Sequence, residues 1–112
     1  MIRIRLLTKS GRYVGFTSDG HAGYADAGND IVCSAVSALM INTVNSIEAF
    51  TDDHFEVEEG DGHLSFRVKG TAGEKSMLLL DSLALGLRSI GETYGNSFLE
   101  IGEKKVNDKG GA

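Results

Sequence analysis

The segment from residue 30 to residue 50, DIVCSAVSALMINTVNSIEAF, decides the fold, because it predicts one long apolar helix. Asp30 is of a residue type that favours the N-cap, so we expect the helix to span residues 31–50. One stripe along this helix is mainly apolar, as a core helix requires. The stripe comprises Val32, Val36, Leu39, Thr43, Ile47 and Phe50, and beside it lie Cys33, Ser37, Met40 and Val44.

A β-hairpin precedes this helix. Residues 1–8 alternate apolar and basic side chains, which predicts a half-buried strand. Residues 13–17, YVGFT, predict the second arm after a turn at Ser10-Gly11. Residues 19–29, DGHAGYADAGN, have neither helical nor strand periodicity, and we expect a loop there.

A second hairpin and a second helix follow. Residues 55–59 and 63–69 predict two strands around a glycine-rich turn. Thr71 and Glu74 have the spacing of a capping box, which predicts a helix from there to about residue 94. The side chains expected to cover a broad apolar face of this helix are Leu78, Leu79, Leu83, Leu87 and Ile90.

The end of the chain completes the pattern. Gly95-Asn96 is expected to stop the second helix, and residues 98–101 predict a last strand. The order ββ-α-ββ-α-β, with about five strands and two helices, favours a two-layer α/β sandwich. We expect a single domain over residues 1–103 and a flexible tail over residues 104–112.

Composition narrows the class of protein. The chain has 112 residues, 41% of them hydrophobic, which suits one globular domain rather than a disordered segment. We find no run of about 18 apolar residues and no signal-peptide core, so we expect a cytoplasmic protein without a membrane anchor. The single cysteine excludes an internal disulfide, and a net charge of −5 argues against direct nucleic-acid binding through a basic surface.

The charges are unevenly distributed along the chain. No lysine or arginine occurs between Arg12 and Arg67, and ten acidic residues lie in that interval, which we call the acidic segment. Such a segment would attract a basic partner and repel phosphates. An equally good interpretation is a solvated face that keeps the protein soluble.

Cys33 and His21 are the candidate catalytic pair. With Asp30 as N-cap, Cys33 falls in the first helical turn, where free N–H groups and the helix dipole favour a thiolate and an oxyanion. His21, on the glycine-rich loop, can fold back to the helix start as a base or as an imidazolium partner. On spacing alone, such a cysteine is more often a small buried hydrophobe, and such a histidine a loop residue bonded to the backbone.

Residues around this pair have two interpretations each. Asp30 either only caps the helix, which we favour, or also orients the imidazole. Ser37, one turn after Cys33, either packs in a tight helix contact or lines the site. Gly23 and Gly28 flank a part of the loop that we expect to be mobile until substrate binds.

Two other kinds of site are weaker. The glycine-rich loop lacks the lysine and the GK[ST] ending of a phosphate-binding loop. The three histidines and Cys33 lack the paired spacing of zinc ligands. His54 and His63 flank an acidic hairpin, and we expect both at the surface. The sequence therefore predicts no metal and no cofactor.

Residues 20–39, GHAGYADAGNDIVCSAVSAL, resemble the signature of the Prp family, the ribosomal-processing cysteine proteases of bacteria. The resemblance covers nearly the whole chain. It implies a small α/β homodimer that removes a short N-terminal extension from a basic large-subunit ribosomal protein, the twenty-seventh in the usual count. It also implies that His21 and Cys33 are catalytic and that Gly20 and Ser37 support them.

Two other functions stay open on the residues alone. One is a non-catalytic, ribosome-associated binding module that uses the acidic segment. The other is a structural dimer whose cysteine is merely buried. The rate of thiol alkylation separates these from a protease, because an exposed thiolate reacts fast near neutral pH and a buried thiol does not.

Overall fold

The described part of the chain contains five strands and two helices in the predicted order. The computed structural model of the protein describes residues 1–20, 27–95 and 97–107, and of residues 27–30 only the backbone. The elements are β1 (Ile2–Lys9), β2 (Arg12–Asp19), α1 (Ala27–Phe50), β3 (Phe55–Gly60), β4 (His63–Val68), α2 (Glu74–Tyr94) and β5 (Leu99–Lys105). The α/β class and the order ββ-α-ββ-α-β are confirmed.

The strands form one mixed sheet in the order β3-β4-β2-β1-β5. Neighbouring strands are antiparallel except β1 and β5, which run parallel. Ile2, Ile4 and Leu6 of β1 are buried in a core that residues of both helices share. Arg5, between them in the sequence, faces the other side and pairs with Glu100 at 3.1 Å. Both helices therefore cover the same face of the sheet, which confirms the two-layer sandwich.

Two strands are longer than local alternation indicates. β2 extends to Asp19 because β4 pairs with its second half. β5 continues to Lys105 because it pairs with β1 along its whole length. The tail predicted from residue 104 onward is therefore wrong for Lys104 and Lys105, and residues 108–112 lie outside the described residues.

The helix α1 begins at Ala27, so the prediction that Asp30 is its N-cap is wrong. The positive end of the helix dipole favours an acidic residue at any position of the first turn. An aspartate such as Asp30 therefore does not show at which residue the helix begins. Cys33 is the seventh residue of α1 and lies in its second turn. The prediction that Cys33 lies in the first turn is therefore wrong, and with it goes the argument that the free N–H groups of that turn surround Cys33 and favour a thiolate and an oxyanion there.

Two residues expected in the core are exposed: Phe50 by 67% and Leu78 by 66%. Leu78 lies two positions after the buried Ser76, about 200° around the helix, and so faces away from the core. Phe50 is on the predicted stripe, but periodicity does not tell where along a helix the core ends. The residues that are buried are Val32, Val36, Met40, Thr43 and Ile47 on α1, and Ser76, Leu80, Leu83, Ala84 and Leu87 on α2.

Asp53 caps the N-terminus of α2 in place of the predicted capping box. Gly73 is the N-cap residue, and its N–H donates to Oδ2 of Asp53 at 2.9 Å. The hydroxyl of Ser76 donates to the same oxygen at 2.6 Å. These bonds, that of Ser76 first, hold the pKa of Asp53 below its usual value. The capping box at Thr71 and Glu74 is wrong, because a carboxylate from the loop before β3 supplies the acceptor instead.

In the described part of the chain, one helix is long and apolar enough to cross a membrane by length and composition, since Ile31–Phe50 has a mean hydropathy of 1.4. Polar residues such as Asn42, Asn45 and Glu48 interrupt this segment, so it is not an unbroken apolar run of about 18 residues, which the sequence lacks. In this fold one side of α1 packs into the core, and it approaches α2 closely. A Cβ on Gly86 of α2 would lie 2.8 Å from Cδ1 of Leu39. The apolar stripe of α1 is thus part of the core.

Candidate active site

A cleft of about 220 Å³ opens where the ends of β1, β2 and β4 meet α1. Its lining is mostly apolar. It brings together three of the predicted site residues. Gly20 is the residue after β2, and Cys33 and Ser37 come from α1. The lining residues are Ile2, Ser18, Gly20, Cys33, Val36, Ser37, Met40, Ile41, Gly62, His63 and Leu64.

Cys33 and Ser37 lie one turn apart on α1, and both line the cleft. Cys33 is half-buried and packs against the hydrophobic core. Cys33 thus lies between the core and the cleft. This location is compatible with a packing role and with a catalytic role. Ser37 is also half-buried, and its place in the cleft favours the interpretation that it lines the site.

Gly20 occupies a place at the end of β2 that admits no side chain. Its φ is +106°, in the left-handed region that L side chains avoid. A Cβ at this position would lie 2.2 Å from the carbonyl oxygen of Met1. The N–H of Gly20 donates to the carbonyl oxygen of Gly62 at 2.9 Å. The backbone of β1 and the β3–β4 turn therefore hold this residue from two sides.

We expect Gly20→Ala to lower both stability and the peptide cleavage that the sequence resemblance implies. The left-handed conformation alone costs about 1–2 kcal/mol for alanine, and the overlap with Met1 forces the backbone to move as well. Gly70→Ala is the matched control, because Gly70 has φ +66° but nothing within 4 Å of its added Cβ. Thermal unfolding should show a larger loss for Gly20→Ala, and cleavage should fall only in that variant. Equal losses of stability would contradict the steric argument.

His63 is a cleft residue that the sequence pattern placed at the surface. Its side chain is 31% exposed. Its Nδ1–H donates to Oδ1 of Asp19 at 2.6 Å, and its Nε2 lies 3.4 Å from Oε1 of Glu58. The hydrogen bond to Asp19 is the main cause that raises the pKa of His63. Local periodicity cannot reveal this pair, because Asp19 and His63 face each other only through the pairing of β2 with β4. His54 is exposed, as predicted.

The other predicted site residues lie wholly or partly outside the described residues. His21 and Gly23 lie outside the described residues, and so does the side chain of Asp30. The capping role of Asp30 is wrong, and its orienting role stays a prediction. Among the residues that the structure describes, no three His, Cys, Asp or Glu side chains are grouped as a metal site requires.

Comparison with known proteins identifies the family. The family of the cysteine protease Prp matches residues 1–98 of the chain, which include both hairpins and both helices. The chain belongs to this family. Membership in the Prp family makes it a cysteine protease, as the sequence resemblance implied.

Individual relatives agree with this assignment. The ribosomal processing cysteine protease Prp of Staphylococcus aureus (strain Mu50 / ATCC 700699) is 31% identical over 86 residues, which are 75% of this chain and 81% of the relative. Two crystal structures of an essential ribosomal processing protease Prp from S. aureus are also similar. One holds a covalently linked product peptide and matches with a TM-score of 0.83 and 29% identity. The other holds a substrate peptide and matches with a TM-score of 0.84 and 28% identity. Each covers 93% of this chain and all of the solved chain.

Proposed function

We propose that this protease removes the N-terminal extension of a large-subunit ribosomal protein, the twenty-seventh in the usual count, with Cys33 as nucleophile and His21 as its acid–base partner. The observation that supports this proposal most directly is that Cys33 lines the cleft. A cysteine protease needs a thiol nucleophile, and the only cysteine of the chain lines a cleft. The name of the S. aureus relative, a ribosomal processing protease, supports the class of substrate.

The reaction is an acyl transfer in two steps. The Cys33 thiolate attacks the scissile carbonyl carbon, and the C–N bond breaks as the His21 imidazolium gives its proton to the leaving amine. In the second step neutral His21 takes a proton from water, and the water oxygen bonds to the acyl carbon. The C–S bond breaks and returns the thiolate, so the enzyme ends in its starting state.

The described residues support these roles by their positions. His21 directly follows Gly20, which lines the same cleft as Cys33, so the chain reaches the cleft one residue before the proposed base. Ser37 lies one turn from the nucleophile and would border the bound peptide. Gly23 and Asp30 keep the supporting roles that their place between His21 and Cys33 in the sequence suggests.

The walls of the cleft and the charges near it fit a basic, extended peptide. Ile2, Met40 and Leu64 give the cleft an apolar surface that suits an uncharged side chain beside the scissile bond. The adjacent β3–β4 hairpin carries exposed acidic residues, among them Glu58 and Glu59. A basic ribosomal precursor would be attracted to this side of the molecule over a long range.

The proposal includes a cytoplasmic homodimer that binds neither membranes nor nucleic acid directly. Exposed apolar residues support the dimer, since Leu78 and Leu85 form an outward stripe on α2, and Ile31 is exposed on α1. A two-fold dimer is the commonest way to cover such a surface. Sedimentation at micromolar concentration should give the mass of two chains, and the mass of one chain would remove this part of the proposal.

The direct test is cleavage of the ribosomal protein itself. The protein is incubated with the precursor that carries the extension and, as control, with the mature form that lacks it. Mass spectrometry should show one cut in the precursor and none in the mature form. Binding of the precursor without any cut would favour the alternative of a non-catalytic, ribosome-associated acidic module.

A further inference from the structure

One hydrogen bond between side chains and one between backbone groups tie the end of β2 to the β3–β4 hairpin. His63 bonds to Asp19 at 2.6 Å, and the two residues are direct partners in the pairing of β2 with β4. The next residue, Gly20, donates its N–H to the carbonyl oxygen of Gly62 at 2.9 Å. Asp19-Gly20 of one strand is thus joined to Gly62-His63 of the other at two successive positions.

On the side that faces β1, the backbone at Gly20 has no space to move. Gly20 passes so close to the carbonyl oxygen of Met1 that even a methyl group would overlap with it. A change in the Asp19–His63 pair therefore cannot be absorbed by a shift of Gly20 toward β1, because the close packing there leaves no space. In the sequence the next residue is His21.

We propose that His63, through its pair with Asp19, is a positioning residue of the Cys33 site. It fixes the end of β2, and so the point from which the chain continues to His21. This inference rests on the proposed role of His21. It gives a function to a cleft-lining histidine that the acyl-transfer steps do not use, and it makes the Asp19–His63 pair part of the alignment of base and nucleophile.

The charges around His63 give the pair a dependence on pH. Asp19 and Glu58 raise the pKa of His63 above its ordinary value. The ion pair is therefore complete below the ordinary histidine pKa, and it weakens to a neutral hydrogen bond as the pH rises through the raised pKa. Among the residues that the structure describes, the titratable and charged groups that surround the pair are Glu58 on β3, Arg3 opposite Asp19 on β1, Asp61 in the adjoining turn, and Cys33, which lines the same cleft from α1.

The test compares His63→Gln and Asp19→Asn with wild type, using His54→Gln as the matched control. His54 is an exposed histidine at the opposite end of the same hairpin. We expect His63→Gln to lower kcat by about tenfold to a hundredfold with KM little changed, because a small misplacement of a catalytic group has this effect. The pH profile of kcat should lose one ionisation in His63→Gln. In Asp19→Asn that ionisation, and the His63 ring signals in an NMR titration, should move to lower pH.

Three results would overturn the inference. One is a kcat and a pH profile in His63→Gln equal to those of His54→Gln. Another is an unchanged His63 titration in Asp19→Asn. The third is a loss in His63→Gln as complete as that in Cys33→Ala at every pH, which would make His63 a catalytic residue. In all three cases Cys33→Ala stays inactive, whereas cleavage by Cys33→Ala would overturn the proposed function instead.

Discussion

Replacing Cys33 by alanine should abolish cleavage of the ribosomal precursor, with kcat/KM falling by at least about 10⁴-fold. The variant removes the only thiol in the chain, so no other residue can form the thioester. Cys33→Ser should be nearly as inactive, because a serine hydroxyl at this position is a far weaker nucleophile than a thiolate at neutral pH. The measurement is product formation by mass spectrometry under single-turnover conditions.

The fold should survive this change, which makes the result interpretable. Cys33 is half-buried, and its replacement by alanine removes one sulfur atom and creates only a small cavity. Ser46→Ala on the same helix, away from the cleft, is the matched control and should cleave normally. Full cleavage by a Cys33→Ala protein with an unchanged unfolding temperature would contradict the role of Cys33.

A thiol reagent gives an independent check on the same residue. Because the chain has a single cysteine, one added reagent mass must report on Cys33. We expect alkylation to be fast near neutral pH and to stop cleavage in proportion to the fraction modified. Slow alkylation would favour the structural interpretation, in which Cys33 belongs only to the core.

The elements that could be predicted from the sequence are those whose pattern is local. Leu64, Phe66 and Val68 alternate along β4, and the structure buries Phe66 and Val68 on one face of the sheet. The end of α1 at residue 50 could be predicted as well, because the polar run after it interrupts the helical period. Such patterns depend on the 2-residue and 3.6-residue periods of single elements.

The features that could not be predicted depend on partners far away in the sequence. The cap of α2 is Asp53, twenty positions before Gly73, so no local capping box could indicate it. The pair of Asp19 with His63 requires the register of β2 against β4. The candidate site was therefore predictable where it follows a contiguous motif around Cys33, and unpredictable where distant strands complete the cleft.

Replacing His21 by alanine is the second change with a large expected effect. Loss of a general acid–base group lowers turnover by about 10²–10⁴-fold, and the residual rate should depend differently on pH because the leaving amine loses its proton donor. His54→Ala is the matched control, since His54 is exposed and does not line the cleft. The measurement is kcat as a function of pH for both variants and wild type.

This experiment distinguishes the roles of His21 and His63. If His21 is the acid–base group, His21→Ala should remove most of the activity at every pH, whereas His63→Gln should lower kcat only in part. The double variant should then be no slower than His21→Ala alone, because a positioning residue has no effect once the group it positions is gone. An unchanged pH–rate profile in His21→Ala would exclude His21 as the acid–base group. His63, which lines the same cleft as Cys33, would then be the next candidate for that role.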